Sequence, residues 1–173
     1  MIYNATSTIA EVFDRNEIRY HIEETDDYSA VLVGFHVECG PSAMIRFVSI
    51  NDDCDVSVCI TGILNRVSSD KRAAVLEVCN KINHSMRFLK FLLDDDADLI
   101  AEYDFPVRIS EDNLGECCME IFIRSVQIIN RVYHLFPEAI FGGEQKSGEA
   151  ALTEVLQALK AMKEHPLQIK GEE

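Results

Sequence analysis

The run Asp94-Asp95-Asp96-Ala97-Asp98 is the densest group of potential hard-cation ligands in the sequence, since carboxylates at alternating positions can surround calcium. Its spacing fails the loop that would do so. Counted from Asp94, the sixth position is Leu99, where glycine is needed, and the twelfth is Phe105, where a bidentate glutamate would close the site. A solvated hairpin turn is the expected structure. Gly142-Gly143-Glu144-Gln145-Lys146-Ser147 shares only Lys-Ser with a phosphate-binding loop, has Gln145 in place of a required glycine, and joins two predicted helices instead of following a strand. It reads as a linker. The histidines His21, His36, His84, His134 and His165 lie far apart and fit no nucleophile, metalloprotease or kinase motif.

Six cysteines (Cys39, Cys54, Cys59, Cys79, Cys117 and Cys118) lack the twice-repeated close spacing that announces a zinc site. Met1-Ile2-Tyr3-Asn4 opens no signal-peptide pattern, so a reducing cytoplasm is expected, with buried thiols in place of a disulfide framework. Cys117 and Cys118 would point roughly 100° apart on a helix, leaving one accessible to oxidation. No catalytic, cofactor-binding or metal residue is assigned, and no cofactor is expected.

The 173 residues carry 16 Lys and Arg against 30 Asp and Glu, a formal charge of −14, which weighs against nonspecific attraction to nucleic acid or anionic lipid. With 47% hydrophobic and 27% charged residues the chain can bury a continuous core of ordinary single-domain size. The longest apolar stretch, Ile121 to Phe136, is interrupted by Arg124, Gln127, Asn130, Arg131 and His134, so no membrane span is expected.

Periodicity supplies the elements. Thr6 or Ser7 can cap a first helix with Ile9, Val12 and Phe13 on one face, ending near Asn16. Tyr20 and Ile22, then Val31, Val33, Phe35 and Val37, then Ala43, Ile45 and Phe47, then Val56, Val58 and Ile60 repeat every second residue, with Gly40-Pro41 and Asn51-Asp52-Asp53 as turns. Short links between strands imply an antiparallel meander. A second helix opens at Ser68 or Ser69 and keeps Val75, Leu76, Cys79 and Ile82 in helical spacing. Met86 to Leu93 and Leu99 to Phe105 form a second hairpin, a long helix runs from about Asn113 to Phe136, and a last helix from about Glu149 to Glu164 has Leu152, Val155, Leu156, Leu159 and Met162 on one stripe. The expected fold is α+β, an antiparallel sheet of five to six strands with helices packed on it. The order is one helix, three or four strands, a helix, two strands and two helices. Residues 1–141 form the domain, 142–148 a linker, and 149–173 a C-terminal helix and tail.

Two features point to a partner. The segment Arg66 to Lys90 holds six basic residues against two acids, while Asp94 to Glu120 holds ten acids against Arg108; two solvated faces or complementary docking would follow. The long helix has more apolar residues than one sheet can cover: beside a core stripe through Leu114, Cys118, Ile121 and Ile129 stand Met119, Ile123, Val126, Ile128 and Leu135. Cover can come from the last helix, a second copy or a client polypeptide. The partner or dimer surface is therefore assigned to Ile9, Val12, Phe13, Met119, Ile123, Ile128, Leu135, Leu156 and Leu159.

The stretch Lys71-Arg72-Ala73-Ala74-Val75-Leu76-Glu77-Val78-Cys79-Asn80-Lys81-Ile82-Asn83, followed by Arg87-Phe88-Leu89-Lys90-Phe91-Leu92-Leu93-Asp94, Leu99 and Asp104-Phe105-Pro106, resembles the YbjN family. That family is similar in fold to the type III secretion chaperones, small acidic cytoplasmic proteins that usually dimerise around a secreted client. The resemblance implies a bacterial, noncatalytic protein-binding module, chaperone-like or a regulatory adaptor with a sensory role, acting as a homodimer that holds a polypeptide client. Bonding of helix-end carbonyls, or a left-handed turn, would account for Asn80 and Asn83. Phe88 and Phe91 would fill opposite sheet faces. Two other classes compete: a small enzyme whose Cys and His groups converge only in space, and a nucleic-acid regulator using residues 66–90.

Overall fold

A computed structural model of the chain describes residues 1–51, 56–87, 89–104, 111–142 and Gln157. Helix α1 (Asn4–Arg15) precedes four strands, β1 (His21–Glu24), β2 (Ser29–His36), β3 (Ser42–Ser49) and β4 (Val56–Leu64). Helix α2 (Arg72–Ser85) leads into β5 (Lys90–Leu93) and β6 (Leu99–Asp104), and helices α3 (Glu111–Val132) and α4 (Leu135–Phe141) follow. The strands form one antiparallel sheet in the order β1-β2-β3-β4-β6-β5. The fold is α+β, as the runs of alternating residues imply. The meander stops at β4, however, because the second hairpin folds back to place β6 beside β4 and leaves β5 on the edge.

Register explains the sheet's two faces. Val31, Phe47, Val58 and Tyr103 are paired across β2, β3, β4 and β6, as are Val33, Ile45, Ile60, Ala101 and Phe91 in the next row. Alternation therefore puts all of these side chains on one face. Gly62, at φ 81, sits where the β4–β6 register shifts, and the bulge returns Ile63 to the core three residues after Ile60. The helices cover this same face: Phe13 of α1 meets Phe47 edge-on at 5.6 Å, Phe122 of α3 meets Phe35 at 6.4 Å, and Phe136 of α4 meets Phe91 at 5.7 Å. Each ring fully buried there contributes about 1.5–3 kcal/mol over leaving it exposed.

Several boundaries differ from those the sequence suggests, each for a nonlocal reason. Helix α1 starts earlier, behind Tyr3, with no side-chain cap. Thr6 instead lies buried with its hydroxyl 2.7 Å from that of Ser29, and the Tyr3 amide donates to the same Ser29 Oγ, so these groups tether the helix to β2. Helix α2 starts later, because the Ser68 carbonyl first accepts from the Lys71 and Arg72 amides in a turn. The long helix breaks after Val132. Pro137 has no amide to donate and its ring would strike the carbonyl four residues back, so Tyr133 and His134 form a turn before α4 begins. The remainder of the proposed linker, residues 143–148, lies outside the described residues, as does the expected last helix except Gln157; Phe88 is also outside them.

The side-chain amide of Asn83 bonds neither helix-end carbonyl suggested for it. Its Oδ1 accepts from the Phe91 amide and its Nδ2 donates to the Phe91 carbonyl, both at 2.8 Å, so it caps the backbone of edge strand β5. Lys90 Nζ supplies the charge complement at the end of α2, donating to the Asn83 and Met86 carbonyls.

Candidate functional site

The surface residues proposed from sequence divide by location. Ile9, Val12, Phe13 and Leu135 are buried in the folded chain; Met119 and Ile128 are half-buried against the core. Ile123 stands 40% exposed on α3. Leu156 and Leu159 lie outside the described residues. The helix stripe is thus mostly a packing surface for the sheet, with Ile123 as its outward projection.

The groups that could support other chemistry are dispersed. His21, His36, His84 and His134 are all exposed, and among the described residues no three His, Cys, Asp or Glu side chains gather as a metal-binding group. A cleft of about 490 Å³ beside the start of α2 is lined by Arg66, Val67, Ser68, Ser69, Arg72, Asp96 and Asp98, without histidine or cysteine. Its charges are matched, and its groups do local structural work: the Arg66 amide donates to Asp98 Oδ1, Arg72 Nε donates to the Val67 carbonyl, and Asp94 Oδ1 accepts from the Asp98 amide. The aspartate run is a bonded turn, with Ala97 in the left-handed region at φ 62. Lys81 pairs with Glu77 at 2.8 Å and Lys90 is held at the α2 terminus, so the basic segment is not one open cationic face.

Four thiols, Cys59, Cys79, Cys117 and Cys118, are shifted toward the protonated form. Burial pushes Cys79 up to about 11 and drives Cys118 further in the same direction, with Cys117 beside it adding to the rise. Cys117 is raised by its own burial, then by Glu120 and Glu116. Burial also raises Cys59, with Glu102 and Asp94 adding to the effect and Arg46 opposing it. Because the thiolate is the nucleophile, these sites are poorly prepared for covalent chemistry at neutral pH. Cys39 is exposed in the β2–β3 turn at φ 58.

The sheet's second face is the larger feature. Leu32, Arg46, Cys59 and Glu102 form one cross-strand row pointing away from the helices; Ala30, Val48 and Ser57 form the next, with Met44 and Thr61 beyond and Leu92 beside Ile100 at the far side. Ala30 and Ile100 are buried but do not belong to the core cluster; Leu32, Val48 and Leu92 are half-buried and Met44 is 39% exposed. No helix among the described residues lies on this face. A polar group orders one side: Arg46 Nη2 donates to Glu23 Oε2 at 2.9 Å and to the Tyr28 hydroxyl at 3.2 Å, while that hydroxyl donates to Glu23 Oε1 at 2.7 Å. The guanidinium also stands over the Tyr28 ring, 5.7 Å from its centre. These contacts tie β1, the β1–β2 turn and β3 together and leave aliphatic surface beside a fixed charge pair.

A protein-family profile matches residues 6–132, from the first turn of α1 to the end of α3. The chain belongs to the YbjN family. That family carries the description "Putative bacterial sensory transduction regulator". No curated protein sequence matches the chain. The YbjN span includes the six strands together with α1, α2 and α3 but ends before α4, which covers β5 from beyond the matched segment. No helix among the described residues is long and apolar enough to cross a membrane.

The half-apolar outer face escaped sequence inspection although its signal was present. Positions 32, 44 and 48 carry Leu, Met and Val where a solvated strand face would carry polar residues.

Proposed function

We propose that this YbjN chain is a noncatalytic regulatory module, chaperone-like in action, that binds a polypeptide through the outer face of its sheet. One observation carries the reading: the described helices occupy a single face, while Leu32, Met44 and Val48 line the other near the Arg46–Glu23 pair, with Leu92 on the same face at the far edge. Aliphatic side chains beside an ordered charge favour an amphipathic segment, whose apolar stripe loses water while its polar edge meets the charge. A homodimer belongs to the same proposal, with its contact on α3 about Ile123, so that the sheet stays available to the client. Free thiols at Cys39, Cys59, Cys79, Cys117 and Cys118 support a reducing cytoplasm as the setting.

The test is suppression of aggregation of a thermally unfolding model protein, followed by light scattering with the full chain. Leu32→Asp with Val48→Asp is expected to abolish suppression while leaving the circular dichroism spectrum unchanged. Ile123→Asp is expected to reduce the solution mass to that of one chain and retain suppression. Full suppression by the folded outer-face variant would remove the sheet from the binding role.

A further inference from the structure

The outer face and the end of the described chain bear on one another. Helix α4 places Phe136 against Phe91 of edge strand β5 and ends at Phe141, which is 85% exposed, so the chain leaves the helical layer near that edge. Residues 143–148 follow, two of them glycine; six residues reach up to about 20 Å, on the order of twice the ~10 Å between packed layers. Residues 149–164 carry the stripe Leu152, Val155, Leu156, Leu159 and Met162, and as a helix would extend about 24 Å, equal to roughly five strand spacings of the sheet. Lys160 and Lys163 flank the stripe in its second half, while Glu102 stands exposed on the uncovered face.

Resting on the reading of that face as the binding surface, we propose that residues 149–164 dock across it as an amphipathic helix and occupy the client site in cis. The chain then supplies its own competitor. A client must present a comparable apolar stripe, with residues spaced as in one face of a helix, and must displace the segment to bind. The occupant proposed is this segment because the described chain ends near the neighbouring edge, residues 143–148 are long enough to pass around β5, and residues 149–164 would match the width of the sheet if helical. A tethered helix also competes at the high effective concentration set by a short linker.

Cys59 is the built-in reporter, half-buried in the central row of the outer face, and Cys39 is an exposed control in a distant turn. The experiment measures alkylation by iodoacetamide at each cysteine of the full chain and of the Leu156→Asp, Leu159→Asp chain, resolved by peptide mass spectrometry. Releasing the helix is expected to speed modification of Cys59 roughly tenfold, with Cys39 unchanged and Cys79 and Cys118 still protected. Equal Cys59 rates in two folded chains would overturn cis docking. A photo-crosslinker replacing Met44, without client, supplies a second reading. An adduct within one chain to 149–164 supports the proposal, whereas an adduct between two copies assigns the face to a dimer and overturns it. Aggregation suppression separates this from the broader function. Equal Cys59 rates with suppression still lost in Leu32→Asp, Val48→Asp would overturn the cis occupant alone; suppression unaffected by those substitutions would overturn the binding reading beneath it.

Discussion

Asn83 shows how one side chain can finish a sheet. Among the described residues strand β5 has one strand neighbour, β6, so the Phe91 amide and carbonyl on its other edge need partners, and the Asn83 carboxamide supplies an acceptor and a donor at once. Asn83→Ala removes both while leaving the strand in place, so stability should fall by about 1–3 kcal/mol. The urea midpoint should move down with an unchanged slope. Sequence spacing singled out Asn83 but assigned it to the helix end, because its true partner lies on another element and leaves no trace in helical periodicity. Cys79 gives a residue-scale expectation of a different kind. Its folded-state value, about 11, is above the ordinary thiol value of 9.0, so below about pH 9 it is protonated whether the chain is folded or unfolded. Between about pH 9 and 11 the unfolded chain releases a proton that the folded chain keeps, and stability is lost as pH rises; Cys118 acts with the same sign. Urea midpoints should therefore stay level through neutral pH and decline above about pH 9, less steeply in Cys79→Ala.

At the scale of elements, the seam between α1 and α3 depends on a missing side chain. A Cβ on Gly115 would meet Val12 Cγ2 and lie 2.8 Å from the Thr8 carbonyl oxygen. Within a helix, Gly→Ala ordinarily gains roughly 0.5–1 kcal/mol of propensity. Here overpacking reverses the sign, and Gly115→Ala should lose about 1–3 kcal/mol, read as a lower Tm by calorimetry. A higher Tm would show that the helices are free to separate without cost. The sequence made the existence and type of these elements legible through two periods, every second residue in β2, β3 and β4 and the 3.6-residue stripe in α2 and α3. Their ends were less legible because contacts outside the local pattern decide them: Ser29 draws Thr6 away from capping, and Pro137 divides the long helix. Order within the sheet depended on the returning hairpin, which brings β6 to β4 and could not be read from the short links of the meander.

For the whole molecule, sidedness is the property that matters. The YbjN chain packs its described helices on one sheet face and leaves an aliphatic field on the other, crossed by Leu32, Val48 and Leu92 and ordered by Arg46, Glu23 and Tyr28. Sequence reasoning expected surplus apolar surface and placed it on helices. Much of that surplus is core, as Phe13 and Leu135 show, and Ile123 is what projects from α3. Alternation revealed that β2 and β3 have two faces, but the side covered by helices depends on contacts between distant segments. The most direct measurement places a photo-crosslinker at position 44 in one full chain and at position 123 in another, then maps adducts in the presence of the unfolding client. Met44 and Ile123 are almost equally exposed, at 39% and 40%. Client adducts are expected at 44 and adducts between two copies at 123. Client adducts at 123 with none at 44 would contradict binding through the outer face.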